Sequence, residues 1–197
     1  IAVIGLTNAF NMIDGIDGLA AGFIIIAIIG ILLADISFKG NNLNIVLLTI
    51  ISCTVAFLLF NMTSNNNLKV FLGDGGSLFL GFWIAMVLIN KVENLDNFSP
   101  TFALWCVAIP LFDFFGVMFL RKIERRPLML ADRDHIHHFL ESFNLSKKSI
   151  LLLLISFGFL ILIIGYILDN NIPAISFPIF IFLFVLYLCF RFYFRNK

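Results

Sequence analysis

The residues of this chain that could do chemistry are gathered in a few short polar segments of an otherwise apolar sequence. Three such segments are NAFNMIDGIDGLA at residues 8–20, FLGDGGS at residues 71–77 and ADRDHIHH at residues 131–138. Between them they offer carboxylates, amides and imidazoles, which bind metal ions or form hydrogen bonds with phosphate-bearing ligands. An apolar chain that keeps such groups together must handle something polar at these places.

The first segment places an amide and two carboxylates at intervals of three residues. Asn11, Asp14 and Asp17 would share one face of a helix, because residues three or four apart are neighbours there. Gly15 and Gly18 would let a ligand approach the backbone closely. Hard oxygen ligands of this kind suit Mg²⁺, which takes one or two carboxylates together with phosphates and waters. Helix capping is the structural alternative, but it explains one of these residues rather than all of them.

The second segment places Asp74 between glycines and just before a predicted helix. Such a loop presents backbone N–H groups and the positive end of a helix dipole to a phosphate. An acid at this position makes sense if a divalent cation bridges it to the phosphate, and the segment lacks the G-K-[ST] sequence of a P-loop. A glycine-rich turn capped by Asp74 and Ser77 is the alternative. Phe71 could stack on a nucleobase, although packing is the commoner role of one phenylalanine among 25.

The third segment holds His135, His137 and His138, and the chain has no other histidine. Imidazoles can bind a metal ion or donate hydrogen bonds to phosphate oxygens. Arg133 lies beside them and adds a fixed positive charge. A soft-metal site is disfavoured because no cysteine is close in the sequence.

Asp113 is an acid within an apolar stretch, where a carboxylate needs a polar cavity or a partner. Pairing with Arg121 or Arg125, which would be structural, and direct contact with a ligand both suit its position. The basic residues Arg121, Lys122, Arg125 and Arg126 are explained well enough by membrane topology.

Composition places the chain in a membrane. Hydrophobic residues make up 61% of the 197 residues and charged residues 13%, whereas a soluble domain is about half apolar and a quarter charged. Lipid offers the backbone no hydrogen bonds, so apolar stretches of sufficient length should be the helices of an all-α polytopic membrane bundle. About six such stretches are present: Leu19–Ala34, Asn44–Phe60, Leu78–Asn90, Thr101–Leu120, Ser149–Leu168 and Pro173–Phe190. The three cysteines lie in apolar runs and are expected to be buried hydrophobes.

Basic residues set the predicted orientation. Eleven of the 13 Lys and Arg residues fall in the connections on one side and in the tail, and only Lys39 and Lys91 fall on the other. The positive-inside rule makes the basic side cytoplasmic. All three polar segments fall on that side, so they are predicted to meet as one site at the inner membrane surface. This position argues against a metal or proton transporter, whose site usually lies near the bilayer midplane.

Four segments carry a resemblance to a known family: NAFNMIDGIDGLA, FLGDGGSLFLG, IPLFDFFGVMFLRK and ADRDHIHHFL. In order and spacing they resemble the cytoplasmic motifs of the polyprenyl-phosphate N-acetylhexosamine-1-phosphate transferases. The resemblance covers Leu6–Leu140, and two apolar stretches follow as in that family. The sequence HIHH is similar to the undecaprenyl-phosphate GlcNAc-1-phosphate transferase branch, which starts O-antigen, enterobacterial common antigen and wall teichoic acid synthesis.

The resemblance implies an enzyme of the bacterial inner membrane with its active site on the cytoplasmic face. A UDP-N-acetylhexosamine, expected to be UDP-GlcNAc, would give its sugar 1-phosphate to undecaprenyl phosphate and release UMP. Mg²⁺, with Mn²⁺ as an alternative, would hold the diphosphate, because phosphoryl transfer depends on positioning and charge neutralisation. The expected partners are these substrates and membrane lipid, with no nucleic acid, and a homodimer is expected by analogy.

The resemblance also implies roles for the residues at matching positions. The metal contacts would be Asn11 and Asp74, with Asp14 supporting the site. The uracil site would consist of Asp17, the backbone at Gly15 and Ile16, and the stacking ring of Phe71. The diphosphate or the sugar would be engaged by Arg133, His135, His137 and His138.

One motif of the family has no counterpart in this sequence. Family members carry an adjacent pair of acids in an earlier cytoplasmic loop, and this chain has no adjacent acidic residues. The chain also begins at Ile1 with apolar residues, as the remainder of a helix would. We therefore expect an N-terminally truncated fragment that is inactive alone, while the whole protein is active. A non-catalytic paralogue acting as an assembly subunit is the alternative.

Overall fold

The computed structural model describes residues 1–34, 42–94, 98–127 and 134–195, and all regular secondary structure in these ranges is helical. The helices are α1 (Ala2–Ile13), α2 (Leu19–Ala34), α3 (Asn42–Asn61), α4 (Gly73–Asn94), α5 (Pro100–Cys106), α6 (Ala108–Ile123), α7 (Ile136–Glu141), α8 (Lys147–Asn171) and α9 (Pro173–Arg195). The predicted all-α class is confirmed. Arg133, a predicted site residue, lies outside the described residues.

Helix length and composition make this a multi-pass membrane protein. Four helices are long and apolar enough to cross a membrane, namely α3, α4, α8 and α9. The bent pair of α5 and α6 adds a fifth span if it crosses as one unit, whereas α1 and α2 are shorter apolar helices. The described residues thus supply four or five spans rather than six. The difference arises mainly at α2, whose 16 residues fall just below the roughly 17 needed to cross a bilayer.

A sharp bend divides the stretch Thr101–Leu120, which the sequence predicts to be one span. Helices α5 and α6 are separated by Val107 and differ in direction by 85°. Pro110 explains the break, because it has no N–H to donate to the carbonyl of Cys106 one turn earlier. It lies instead in the first turn of α6, where backbone N–H groups have no intrahelical partner in any case.

Helix α2 lies at the centre of the bundle and is buried along most of its length. Leu19 and Ile28 are fully buried, as expected for a helix that is apolar on every side. Helix α8 approaches it closely at Gly158, where a Cβ atom would lie only 2.9 Å from the ring of Phe23. By contrast, α3, α8 and α9 leave large apolar side chains exposed, Phe182 among them. Such surfaces suit contact with lipid rather than water.

The three polar segments meet at one end of this bundle. The connection between α1 and α2 contacts the connection between α3 and α4 through an ion pair, in which Lys69 Nζ lies 2.6 Å from Asp17 Oδ2. Helix α7 carries two of the three histidines and touches the same α1–α2 connection, because His137 lies directly against Gly15. These contacts confirm the prediction that the three segments converge.

Candidate active site

An open cleft lies where the first two polar segments meet, and its volume is about 360 Å³. Its walls come from the α1–α2 connection, the α3–α4 connection and the starts of α4 and α8. The lining residues are Asp14, Gly15, Ile16, Asp17, Asn61, Lys69, Phe71, Leu72, Gly73, Asp74 and Lys147. The predicted site residues that share the cleft are Asp14, Gly15, Ile16, Asp17, Phe71 and Asp74.

The α1–α2 connection differs from its prediction. Helix α1 ends at Ile13, and Asp14 follows with backbone angles outside the helical region. Gly18 has a φ of 80°, in the left-handed region that glycine adopts without strain. The prediction that Asn11, Asp14 and Asp17 share one helical face was therefore wrong, because the glycine-containing loop ends the helix. Asp14 and Asp17 nevertheless both line the cleft.

Asp74 and Asn11 hold different positions relative to the cleft. Asp74 lies in the first turn of α4, at the positive end of that helix dipole, and lines the cleft. Asn11 is not among the lining residues. Its Oδ1 accepts a hydrogen bond of 2.7 Å from Oγ of the fully buried Ser77, which ties the end of α1 to the start of α4. Asp74 thus lines the cleft, whereas Asn11 helps to hold α1 against α4 through its hydrogen bond with Ser77.

Negative charge is concentrated in the cleft. Burial, followed by the charges of Asp74 and Asp17, raises the pKa of Asp14 to about 6. The charges of Asp74 and Asp17 thus make it harder for Asp14 to ionise. A bound cation would relieve the repulsion and favour the ionised form of each acid.

Lys69 is the most closely engaged cation of the cleft. Its Nζ lies 2.6 Å from Asp17 Oδ2 and 5.4 Å from the centroid of the Phe71 ring. Phe71 is 70% exposed, so much of its ring is accessible to a ligand at the rim although Lys69 Nζ lies over one face. From the sequence, Lys69 and Lys147 were used only to orient the chain in the membrane. Both of them line the cleft. The sequence feature that could have indicated a role for Lys69 in the site is its position two residues before Phe71.

His135 is held by a buried carboxylate. Its Nδ1 lies 2.8 Å from Asp113 Oδ2, and the backbone N–H of Ile136 donates to Asp113 Oδ1 at 2.7 Å. Asp113 is only 1% exposed, so its charge requires such partners. The ion pair that the structure shows with an arginine is formed by Arg191 of α9, at 3.4 Å. The described residues thus supply Arg191 as an arginine partner, a residue that the sequence did not suggest beside Arg121 and Arg125.

His137 is the histidine that contacts the acidic loop. A Cβ atom on Gly15 would lie 1.8 Å from His137 Nε2, so only glycine leaves room for the ring. Within the described ranges neither ring nitrogen of His137 has a hydrogen-bond partner, although the residue is 1% exposed. Burial, followed by the charge of His138, lowers the pKa of His137 to about 4. His137 is therefore neutral near pH 7.

His138 is more exposed than its neighbours and has a local partner. Its Nδ1 lies 2.9 Å from Glu141 Oε2, and this hydrogen bond lowers the pKa of Glu141 below its usual value. None of the three histidines lines the acidic cleft. They form a second polar layer that joins the cleft through the contact of His137 with Gly15.

The donor groups of the cleft favour a hard cation. Among residues 1–34, 42–94, 98–127 and 134–195, no group of three or more His, Cys, Asp or Glu side chains is arranged to hold a metal ion. Mg²⁺ requires less, because one or two carboxylates suffice when substrate phosphates and waters complete its coordination. Asp14 and Asp74 fit that requirement, since they line one cleft and the charge of Asp74 raises the pKa of Asp14.

Similarity to known proteins extends over most of the chain. The sequence model of glycosyl transferase family 4 matches residues 1–92. The chain is 34% identical over 171 residues to the probable undecaprenyl-phosphate N-acetylglucosaminyl 1-phosphate transferase of Bacillus subtilis (strain 168), which covers 85% of this chain and 46% of the relative. It is 32% identical over 172 residues to the undecaprenyl-phosphate alpha-N-acetylglucosaminyl 1-phosphate transferase of Yersinia pestis, covering 84% of this chain and 46% of the relative.

A third relative, the undecaprenyl-phosphate alpha-N-acetylglucosaminyl 1-phosphate transferase of Escherichia coli (strain K12), is 32% identical over 175 residues, with 86% of this chain and 47% of the relative covered. The chain spans about half the length of the curated relatives it matches. No solved structure matches it significantly. The family model and the relatives together show that the chain is similar to glycosyl transferase family 4 proteins over most of its length.

Proposed function

We propose that the whole protein transfers an N-acetylhexosamine 1-phosphate, with GlcNAc 1-phosphate as the expected group, from a UDP-sugar to undecaprenyl phosphate and releases UMP. The observation that carries this proposal is the single cleft in which Asp14, Asp17, Asp74 and Phe71 converge, in a chain similar to proteins of this family. Acids beside an exposed aromatic ring offer cation binding and base stacking within one site. A nucleoside diphosphate sugar with its divalent cation requires both.

In this proposal the metal ion would bind between the carboxylates of the cleft and the diphosphate of the donor. Asp14 and Asp74 would hold Mg²⁺, with Mn²⁺ as an alternative, and Asn11 is proposed as a further contact once Ser77 releases its oxygen. When bound, the ion neutralises charge that develops on the phosphoryl oxygens. The chain itself contributes the N-terminal end of α4, which favours negative charge beside Asp74.

The uracil base would bind at the rim of the cleft, beside the α1–α2 connection. Asp17 can accept a hydrogen bond from an N–H of uracil, and the backbone at Gly15 and Ile16 can pair with the remaining polar edge. Phe71 offers its exposed ring face for stacking. This arrangement would leave the diphosphate near Asp74.

The histidines and Arg133 would serve the diphosphate or the sugar. Neutral His137 can donate one hydrogen bond, and its ring, whose nitrogens have no hydrogen-bond partner among the described residues, lies behind Gly15 at the edge of the acidic loop. A neutral donor strengthens as phosphoryl oxygens gain charge in the transition state, without repelling the cation. His135 and His138 flank it on the same segment.

The basic residues support a location in the bacterial inner membrane with the cleft on the cytoplasmic side. By their positions in the sequence, 11 of the 13 Lys and Arg residues are assigned to the side on which the polar segments are predicted to lie. This orientation gives the cleft access to cytoplasmic nucleotide sugars, while the lipid acceptor reaches it from the inner leaflet. A homodimer remains part of the proposal by analogy with the family.

The proposal is tested with the purified whole protein, UDP-GlcNAc and undecaprenyl phosphate. UMP release should require both substrates and a divalent cation, and EDTA should abolish it. UDP-GalNAc and UDP-glucose, assayed in parallel, define the sugar. Release of UDP instead of UMP, or equal rates with and without undecaprenyl phosphate, would contradict the proposed reaction.

Replacing Lys69 with methionine should weaken donor binding. Without Lys69, the carboxylate of Asp17 adds unbalanced negative charge where a diphosphate must approach. The pair is partly exposed and worth up to about 1 kcal/mol, so KM for the UDP-sugar should rise by up to about fivefold while kcat changes less. Steady-state kinetics of Lys69→Met measures this, with the exposed Lys122→Met as the matched control. An unchanged KM in Lys69→Met would show that the ion pair does not contribute to binding.

A further inference from the structure

Two side chains of the last helix, Tyr187 and Arg191, reach the histidine segment. Arg191 Nη1 donates to the hydroxyl of Tyr187 at 2.9 Å, and that hydroxyl donates to Asp113 Oδ1 at 3.1 Å. Arg191 Nη2 donates to the backbone carbonyl of Asp134, just before the histidines. The guanidinium also lies over the ring of Phe139, 4.8 Å from its centroid. Helix α9 therefore contacts the histidine segment on both sides of His135.

Both carboxylate oxygens of Asp113 accept hydrogen bonds from these and other donors. Its Oδ1 faces the N–H of Ile136, the hydroxyl of Tyr187 and the guanidinium of Arg191, while its Oδ2 faces His135 Nδ1. Asp113 and Arg191 are 1% and 3% exposed, so neither gains stabilisation from water. A buried carboxylate with this many donors serves to fix the groups around it rather than to contact a ligand.

The hydrogen bond to Asp113 also determines which nitrogen of His135 carries a proton. A carboxylate can only accept, so Nδ1 of His135 is the protonated nitrogen and Nε2 is the nitrogen left for other contacts. The N–H of Ile136 is the first free donor of α7, and its bond to Asp113 sets where that helix begins. His137 is the next residue in the first turn of α7, and it lies against Gly15.

We propose that Tyr187 and Arg191 are positioning residues for the transfer reaction. Through Asp113 and Asp134 they fix the start of α7, and through α7 they hold His137 against the acidic loop. This inference rests on the proposed function and adds a role for α9, which would otherwise be only a membrane-spanning helix. Neither residue touches the cleft.

The test uses the whole protein with Arg191→Met, Arg191→Lys and Tyr187→Phe. A displacement of about 1 Å can cost about a hundredfold in rate, so kcat for UMP release should fall at least about tenfold in Arg191→Met. KM for the UDP-sugar should change less than kcat, because the groups proposed to bind the uracil are untouched. Arg191→Lys should recover only part of the rate, since an ammonium cannot reproduce the planar fork.

Tyr187→Phe removes one hydroxyl and keeps the ring, so it decides the matter even if Arg191→Met fails to fold. Its kcat should fall several-fold in a protein that still folds, with the melting temperature lowered only by the loss of one partly buried hydroxyl. The matched control is Lys148→Met, an exposed cation at the same end of the bundle, which should behave as the unmodified protein. A kcat within twofold of the unmodified protein in Tyr187→Phe, or a loss expressed in KM alone, would overturn the inference. Absence of UMP release by the unmodified protein would instead count against the proposed function.

Discussion

Replacing Asp74 with asparagine is expected to lower the rate of UMP release by at least about a hundredfold in the whole protein. The substitution keeps the size and shape of the side chain but removes its negative charge, which lies at the cleft in the first turn of α4. Charge neutralisation by a metal ion is worth several kcal/mol, and each 1.36 kcal/mol corresponds to about a factor of ten in rate. Loss of a principal ligand should therefore be severe.

The control for Asp74→Asn is the same chemical change at the other end of the same helix. Glu93 lies exposed in the last turn of α4, far from the cleft, and Glu93→Gln should leave the rate unchanged. Raising the Mg²⁺ concentration should restore part of the lost activity if the defect is in metal affinity. A near-normal rate in Asp74→Asn at low Mg²⁺ would contradict the metal assignment.

Replacing Gly15 with alanine is the second change from which we expect a large loss. A Cβ atom at this position would lie 1.8 Å, 2.4 Å and 2.6 Å from three atoms of the buried His137 ring. The ring must shift, and overpacking of this kind costs about 1–3 kcal/mol. Because the loop carries Asp14 and Asp17 as well, we expect a rate loss of about tenfold to a hundredfold.

Gly75→Ala provides the matched control for Gly15→Ala. It makes the same substitution in the glycine-rich segment beside Asp74, and a Cβ atom there would have no neighbour within 4 Å. Kinetics and melting temperatures of the two variants, measured side by side, separate a local clash from a general intolerance of side chains near the cleft. Normal activity in Gly15→Ala would show that the histidine segment does not need its close contact with the acidic loop.

The convergence of the polar segments follows from the sequence alone because membrane topology restricts each connection to one of two sides. Asp14, Asp17, Phe71 and Asp74 belong to connections with the same predicted side, and they do line one cleft. The local path within a connection is less determined. Asn11, Asp14 and Asp17 have helical spacing, yet the chain leaves the helix at Ile13, since glycines permit backbone angles that spacing cannot indicate.

Residue spacing could not predict the ion pairs between residues that are distant in the sequence. Lys69 pairs with Asp17 from 52 positions away, and Arg191 reaches Asp113 across 78. Each basic residue near a membrane boundary already has a sufficient explanation in topology, so the sequence gives no reason to prefer one partner. The choice is made by helix packing, which brings α9 against α6 and α7 and places Arg191 beside the buried acid.

The most direct test of the proposed reaction follows the β-phosphorus of the donor. UDP-GlcNAc radiolabelled in its β-phosphate is incubated with the whole protein, undecaprenyl phosphate and Mg²⁺, and the products are partitioned between organic and aqueous phases. Transfer of sugar 1-phosphate predicts that the label enters the lipid phase and that unlabelled UMP appears in equal amount. Label retained in aqueous UDP, with sugar alone reaching the lipid, would contradict the account.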